Sequence, residues 1–537
     1  MASARLVRAL VLVSALAPAL ALGGCAAILG FEDTTLRGDG SDDGGGPDGP
    51  SGDDGGGGDA AAGRLTASTT SIVLRRGASV SIDVDLARGT DVTGDVDAQL
   101  VDLPAGVTAM PAPLHGGVSK ATITINATKT AVLGPATIHL ALTPAVASIP
   151  AVPLALLVAD AAGALDVTFD TDGFLSDATR GNGSTFEALA VQPDGKILAG
   201  GTAAAPAGWL VKRYGVSGAP DGTFVPGVAT PTDGELRALA LDGSGNVVAV
   251  GTSTGSLVQQ LTVVRFLPTG ALDTKFAGGL VRLSNVDAPQ GSNGYAVAIG
   301  MDGSVIAAGS SKIVGGENAI AVRFKSDGTR DATFGTGGIL TIAKNRFVGA
   351  SIEPGGAIVL GGTDETATFT YFLTRRTATG AADPAFGTAG VSTFGSGFRA
   401  QAFARLPDGS FALAGDAQGG GQYTAGVASN AGAMAWDRAP ALATGGSFFG
   451  VAAQPDGQLI VAGYAPGATA EARVMRLAGA DGTIDGSFGN GGTTILAARP
   501  GSAFDVTLFA ALVQPDGRIL VAGNKSNGGA TLFRLWP

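Results

Sequence analysis

Gln192-Pro193-Asp194-Gly195-Lys196-Ile197-Leu198-Ala199-Gly200-Gly201 reads as a tight turn followed by a short β-rich run bracketed by glycines. The run recurs as GKILAGG from Gly195, GNVVAVG from Gly245, GSVIAAG from Gly303 and GAIVLGG from Gly356. It returns as GSFALAG from Gly409, GQLIVAG from Gly457 and GRILVAG from Gly517. The spacings are 50, 58, 53, 53, 48 and 60 residues. A period near 50 with strand signals and no helical periodicity points to propeller blades rather than a helical solenoid. Asp-Gly precedes the run at Asp194, Asp408, Asp456 and Asp516, and it supplies the positive φ angles of a tight hairpin.

A second element follows each hairpin: an arginine, an aspartate eight residues later, and a phenylalanine three beyond that. The pairs are Arg213–Asp221, Arg265–Asp273, Arg323–Asp331 and Arg375–Asp383, with one extra residue in Arg476–Asp485. The phenylalanines are Phe169, Phe224, Phe276, Phe334, Phe386 and Phe488. A large apolar residue once per unit should plug the core between neighbouring units. The charged pairs can close across the hairpin, where an exposed pair contributes only about 0–1 kcal/mol, or line a channel; pairing is the preferred reading. The weakest copy keeps Asp437 but has Ser429 and Pro440 in the arginine and phenylalanine columns. The stretches ALAVQPDGKILAGG and VVRFLPTGALDTKFAGG resemble the delta-60 repeat of large bacterial surface and secreted proteins. That resemblance spans about 370 residues and implies a β-propeller-like fold with no established catalysis.

The ends of the repeat region suggest how it closes. Leu165–Phe169 and Phe174-Leu175 read as the second half of a repeat, yet they precede the first hairpin, whereas the last repeat stops at Pro537 without that half. An N-terminal strand completing the last blade gives seven blades with no free edge.

The chain begins differently. Arg5 and Arg8 precede an apolar run from Ala9 to Leu22, too short for a stable bilayer span but suited to a secretory signal. Leu22-Gly23-Gly24-Cys25 resembles the lipobox of bacterial lipoproteins, and Cys25 is the only cysteine. The resemblance implies cleavage after Gly24 and a lipid anchor on Cys25. Ala26, in place of an aspartate, implies the outer membrane, with the face undetermined. Gly38 to Asp59 is Gly, Asp, Ser and Pro alone and has nothing to bury, so it reads as an extended tether. From about Leu65 to Asp160 the pattern alternates with period two, in Ser71–Leu74, Val80–Leu86, Ala121–Ile125 and Ala136–Leu142. This favours a β-sandwich. Leu103-Pro104-Ala105-Gly106-Val107-Thr108 resembles a turn of bacterial immunoglobulin-like domains.

The expected organisation is therefore all-β. Residues 1–24 form the signal peptide, 25–64 the lipidated N-terminus and tether, 65–160 an Ig-like β-sandwich, and 164–537 a seven-bladed propeller. The 537 residues include only two histidines, His115 and His139, both in the sandwich. That disfavours a metal site and removes His-based nucleophilic catalysis from the repeats. A net charge of −11 disfavours nucleic acid. Trp209, Trp436 and Trp536 read as core rather than as a sugar platform. No catalytic constellation or cofactor motif stands out, and the expectation is no enzyme. The favoured reading is a lipid-anchored envelope protein whose propeller loops face a protein or glycan partner. The alternatives are a calcium- or carboxylate-dependent propeller hydrolase, with acids converging at one channel mouth in non-repeated positions, and a purely structural envelope component.

Overall fold

The computed structural model describes residues 63–537, except 227–230, 255–257, 285–286, 366–367, 418–421, 439–444, 466–470, 497–505 and 527. Cys25, the signal motif Leu22-Gly23-Gly24 and the tether lie outside the described residues, as does Pro440. The described residues hold no α-helix; one 3-10 turn, Ala277–Gly279, interrupts the strands. The chain divides into two compact units at residue 160.

In the first unit, alternating residues bury one face of each of two sheets. Arg64–Ala67, Ser79–Ala87, Lys120–Ala127 and Val107–Ala109 form one sheet in that order. Ser71–Arg75, Val152–Ala159, Gly134–Thr143, Val96–Val101 and Ala112–Leu114 form the other. Ile82, Val84, Ile123 and Ile125 meet Ile138, Leu140, Leu154 and Leu156 in a single core between them. His139 lies in a strand with Nδ1 2.6 Å from Asp102 Oδ2, and His115 Nε2 lies 2.8 Å from Asp97 Oδ1. Each histidine thus has one carboxylate partner.

Among the described residues, the second unit contains seven antiparallel sheets, one per hairpin motif. Their first strands are Thr185–Val191, Glu235–Leu241, Ser292–Ile299, Asn345–Ile352, Phe398–Arg405, Ser447–Ala453 and Val506–Val513. Each first strand packs on that of the next sheet, and the seventh packs on the first, so the row closes into a ring with these strands innermost. Phe174–Asp177 pairs antiparallel with Ala530–Leu535 and becomes the fourth strand of the seventh sheet. Residues more than 350 positions apart therefore share one ladder, which covers the edge of Ala530–Leu535 and makes Phe174–Asp177 the outer strand of that sheet.

The hairpins correct one detail of the sequence reading. In each motif the glycine alone has positive φ (Gly195 +80°, Gly303 +74°, Gly517 +89°), and the aspartate does not. Gly195 N donates to Gln192 O, and Gln192 N donates to Lys196 O. This is a turn closed by a left-handed glycine, the three-residue hairpin with a bulge, rather than a two-residue turn with two positive φ angles. The aspartate instead accepts a hydrogen bond from the backbone two residues on, as Asp408 Oδ1 does from Ser410 N at 2.9 Å.

Candidate functional site

The two ends of the ring differ. One end carries the repeated turns, and there the arginine and aspartate columns meet. Arg213 Nε donates to Asp221 Oδ2 at 2.9 Å, and its Nη1 donates to the Pro268 carbonyl of the next sheet at 2.6 Å. Arg265 repeats this with Asp273 and the Ser326 carbonyl, and Arg375 with Asp383 and the Asn430 carbonyl. Each guanidinium also lies over a phenylalanine ring of the repeat, at 4.5 Å for Arg265 on Phe276. These are not exposed cross-hairpin pairs: Arg213 and Arg265 are buried, and they tie one sheet to its neighbour. The seventh sheet follows the same plan with residues from both ends of the repeats. Arg534 Nε donates to Asp166 at 2.6 Å and Nη1 to the Val216 carbonyl. Asp166, Arg518 and Arg534 are all buried, and Arg518 Nη1 also donates to Asp166, at 3.2 Å. Burial pushes the Arg534 guanidinium down to about 10.

The fifth sheet departs from the plan, and not where the sequence spacing suggested. Val427 pairs with Ala412 as Arg213 pairs with Leu198, so Val427, not Ser429, occupies the arginine column. Ala435 lies three residues after the turn glycine Gly432, where Asp221 follows Gly218, so Asp437 is not the column aspartate. Asp437 stands eight residues after Ser429 by coincidence, whereas Val427 and Ala435 keep the column spacing of eight. Trp436 takes over the phenylalanine's place: it is buried, and its Nε1 donates to the Gly479 carbonyl of the sixth sheet at 2.7 Å. Trp209 and Trp536 are buried as well.

The opposite end, where the first strands begin, is built on a second repeated device. Every first strand carries a register shift in the same place, at Glu187, Arg237, Tyr295, Val348, Gln401, Phe449 and Phe509. The last glycine of each motif explains it. A Cβ on Gly362 would lie 1.8 Å from the Arg346 carbonyl, and one on Gly415 1.9 Å from the Arg399 carbonyl. Only glycine admits the bulged backbone, and the bulge re-aims one side chain of the innermost strand. The backbone device repeats, but the side chains it presents differ in charge and shape. Neighbours in this series touch: Arg237 Nη1 donates to Glu187 Oε2 at 2.6 Å, and the Phe449 and Phe509 rings lie 5.8 Å apart.

Polar groups concentrate between the fourth and sixth sheets. Arg399 stands opposite Asp416 in the ladder, and Ser447 opposite Tyr464. Burial raises the Asp416 carboxyl above its ordinary value, outweighing the attraction of Arg399 and Arg346 and the nearby Ser447 and Gln401. Asp416 Oδ1, Gln401 Nε2, Ser447 Oγ and Tyr423 Oη are all buried and make no well-aligned hydrogen bond, although Ser447 and Gln401 lie close enough to Asp416 to favour its ionised form. Such groups cost about 1–3 kcal/mol each when left unmet. Arg399 lies 4.6 Å over Phe369, and Arg346 lies 5.9 Å from Tyr295. None of these residues stood out in the sequence, because each occurs once in a column that varies. The signal available was the glycine that ends each motif, which marks the column beside it.

Four stretches, residues 192–224, 302–334, 454–488 and 514–536, match the model of a family described as a domain of unknown function (DUF5122) beta-propeller. The chain is thus a β-propeller-like repeat protein. Among solved structures, domains 4 and 5 of the S-layer protein SbsC share 18% identity over 18% of this chain and 50% of that one, with a TM-score of 0.14. A longer SbsC structure shares 15% over 38% of this chain and 22% of that one, at 0.15. Trypsin-activated alpha-2-macroglobulin from Escherichia coli shares 9% over 88% of this chain and 41% of that one, at 0.16. The chain spans half or less of each of these structures. No curated protein matches it.

Proposed function

We propose that this is a lipid-anchored binding protein of the bacterial cell envelope, held to the outer membrane through Cys25, with an Ig-like sandwich followed by a seven-bladed propeller. The propeller binds a protein or glycan partner at the end where its first strands begin. One observation carries the reading: Gln401, Asp416, Tyr423 and Ser447 bury polar groups that make no well-aligned hydrogen bond, in columns where the repeat itself imposes no residue. A ligand with hydroxyl and anionic groups satisfies such a set, with Arg346 and Arg399 adding positive charge.

Binding is favoured over hydrolysis by the way the acids of that end are held. Glu187 pairs with Arg237, and Glu471 with Arg473. Burial dominates the titration of Asp416, and the side chains of largest effect on it, Arg399, Arg346, Ser447 and Gln401, include no carboxylate. Glycoside hydrolysis ordinarily needs two.

The test is a screen of the full-length chain against envelope glycans and proteins, run beside Arg399→Ala and with folding checked by circular dichroism. Selective retention that the variant loses is the expected outcome. Retention identical in both, or none in either, refutes a ligand site at this end. The anchor is tested separately: palmitate incorporation and membrane fractionation should both be lost in Cys25→Ser.

A further inference from the structure

The turn-bearing end holds a second feature, independent of the ligand site proposed above. In the third sheet, the hairpin Asp302-Gly303-Ser304 takes part in holding the column arginine. Arg323 Nη2 donates to Asp302 Oδ2 at 3.1 Å and to Ser304 Oγ at 3.3 Å. The fifth sheet has the same hairpin, Asp408-Gly409-Ser410, with the same internal bond from Ser410 N to Asp408 Oδ1 at 2.9 Å. Its column arginine is Val427, and its column aspartate is Ala435. Half of a guanidinium site is kept and the guanidinium is missing.

The space left is open. A cleft of 960 Å³ lies there, lined among others by Asp408, Ser410, Val427, Ala435, Asp456 and Asp485. The seam between the fifth and sixth sheets does not need a cation to close it, because Trp436 supplies both the ring and the bond to the Gly479 carbonyl. Asp408 and Asp456 are exposed, while Asp485 Oδ2 already accepts from Arg476 at 2.7 Å. The Arg405 guanidinium and the Asn430 side-chain amide lie beside Gly409 at the edge of this turn.

We propose that this cleft receives the arginine side chain of a partner protein, which fills in trans the position that Arg323 fills in cis in the third sheet. A planar donor fork matches the Asp-Gly-Ser acceptors better than a point charge does. The volume also exceeds one side chain by a wide margin, leaving room for a short extended segment around it.

The experiment is calorimetric titration of the full-length chain with the tripeptides acetyl-Gly-Arg-Gly-amide, acetyl-Gly-Lys-Gly-amide and acetyl-Gly-Gly-Gly-amide at low salt. Saturable binding of the arginine peptide is expected, weaker for lysine and absent for glycine. Val427→Arg places a guanidinium in the cleft and should abolish binding. Asp408→Asn keeps the turn's acceptor and removes the charge, weakening binding about tenfold. No saturable binding, equal binding of the three peptides, or unchanged binding to the variants overturns the proposal. Should Val427→Arg fail to fold, Asp408→Asn decides alone.

Discussion

Single residues in this protein divide by whether the repeat demands them. Asp166 is the demanded kind: it is fully buried and accepts from two buried arginines. Asp166→Asn takes the paired carboxylate from buried Arg534 and leaves Arg518 with Asp516 alone, and it should lower stability by about 3–5 kcal/mol in chemical denaturation. The column aspartates act together in acid. The Thr223 hydroxyl bonded to Asp221, the Thr333 hydroxyl bonded to Asp331 and the Ala385 amide bonded to Asp383 hold those carboxyls below their ordinary value. Their stabilisation is complete above the unfolded carboxylate pKa of about 4 and is lost as pH falls through the lower folded values. The melting temperature should stay level from pH 7 to 5 and fall below about pH 4. Asp416 has the opposite sign, since burial raises its folded pKa and its ionised form is a cost at neutral pH. Asp416→Asn should raise the melting temperature at pH 7 and leave it unchanged at pH 3, where both states are protonated. A lower value at pH 7 would mean that Arg399 and Arg346 outweigh the burial.

Among the elements, the bulged first strand links fold to function. The terminal motif glycine admits the bulge, and the bulge presents the variable side chain. Gly415→Ala places a methyl against the Arg399 carbonyl and should displace Gln401 together with Arg399. Partner retention should then drop even if the variant stays folded. The strand Phe174–Asp177 carries a different burden, since it supplies the outer strand of the seventh sheet. Deleting residues 164–178 removes that strand along with Asp166 and Phe169, the anchors of the last arginine. Melting of the truncated chain should begin well below that of the intact protein; equal melting would show that the closure carries no stability.

For the whole molecule, the relevant fact is that residues 63–160 and 161–537 have separate cores. Calorimetry of the full chain should resolve at least two transitions, with the Asp166→Asn effect confined to one. Within the repeats, the ring gives the chain two working ends: one where identical turns are tied sheet to sheet, and one where the columns vary freely. The fifth sheet is the place where the tied end lapses, and both proposed sites involve it.

How much of this the sequence alone determined follows from the range over which each feature is encoded. The hairpins, the glycines, the Arg–Asp–Phe columns and the strand periodicity are local and repeated, so spacing was enough to read an all-β repeat protein. The place of Trp436 was misread because both column residues are replaced in this repeat and Asp437 happens to stand eight residues after Ser429; only ladder pairing assigns Val427 to its column. The bridging of each guanidinium to the next sheet, the junction of Asp166 with Arg534 and the gathering of Gln401, Asp416 and Ser447 join residues from separate sheets. Those were decided by tertiary structure, because closing the ring sets side chains from different repeats against one another, and no local spacing records which ones meet.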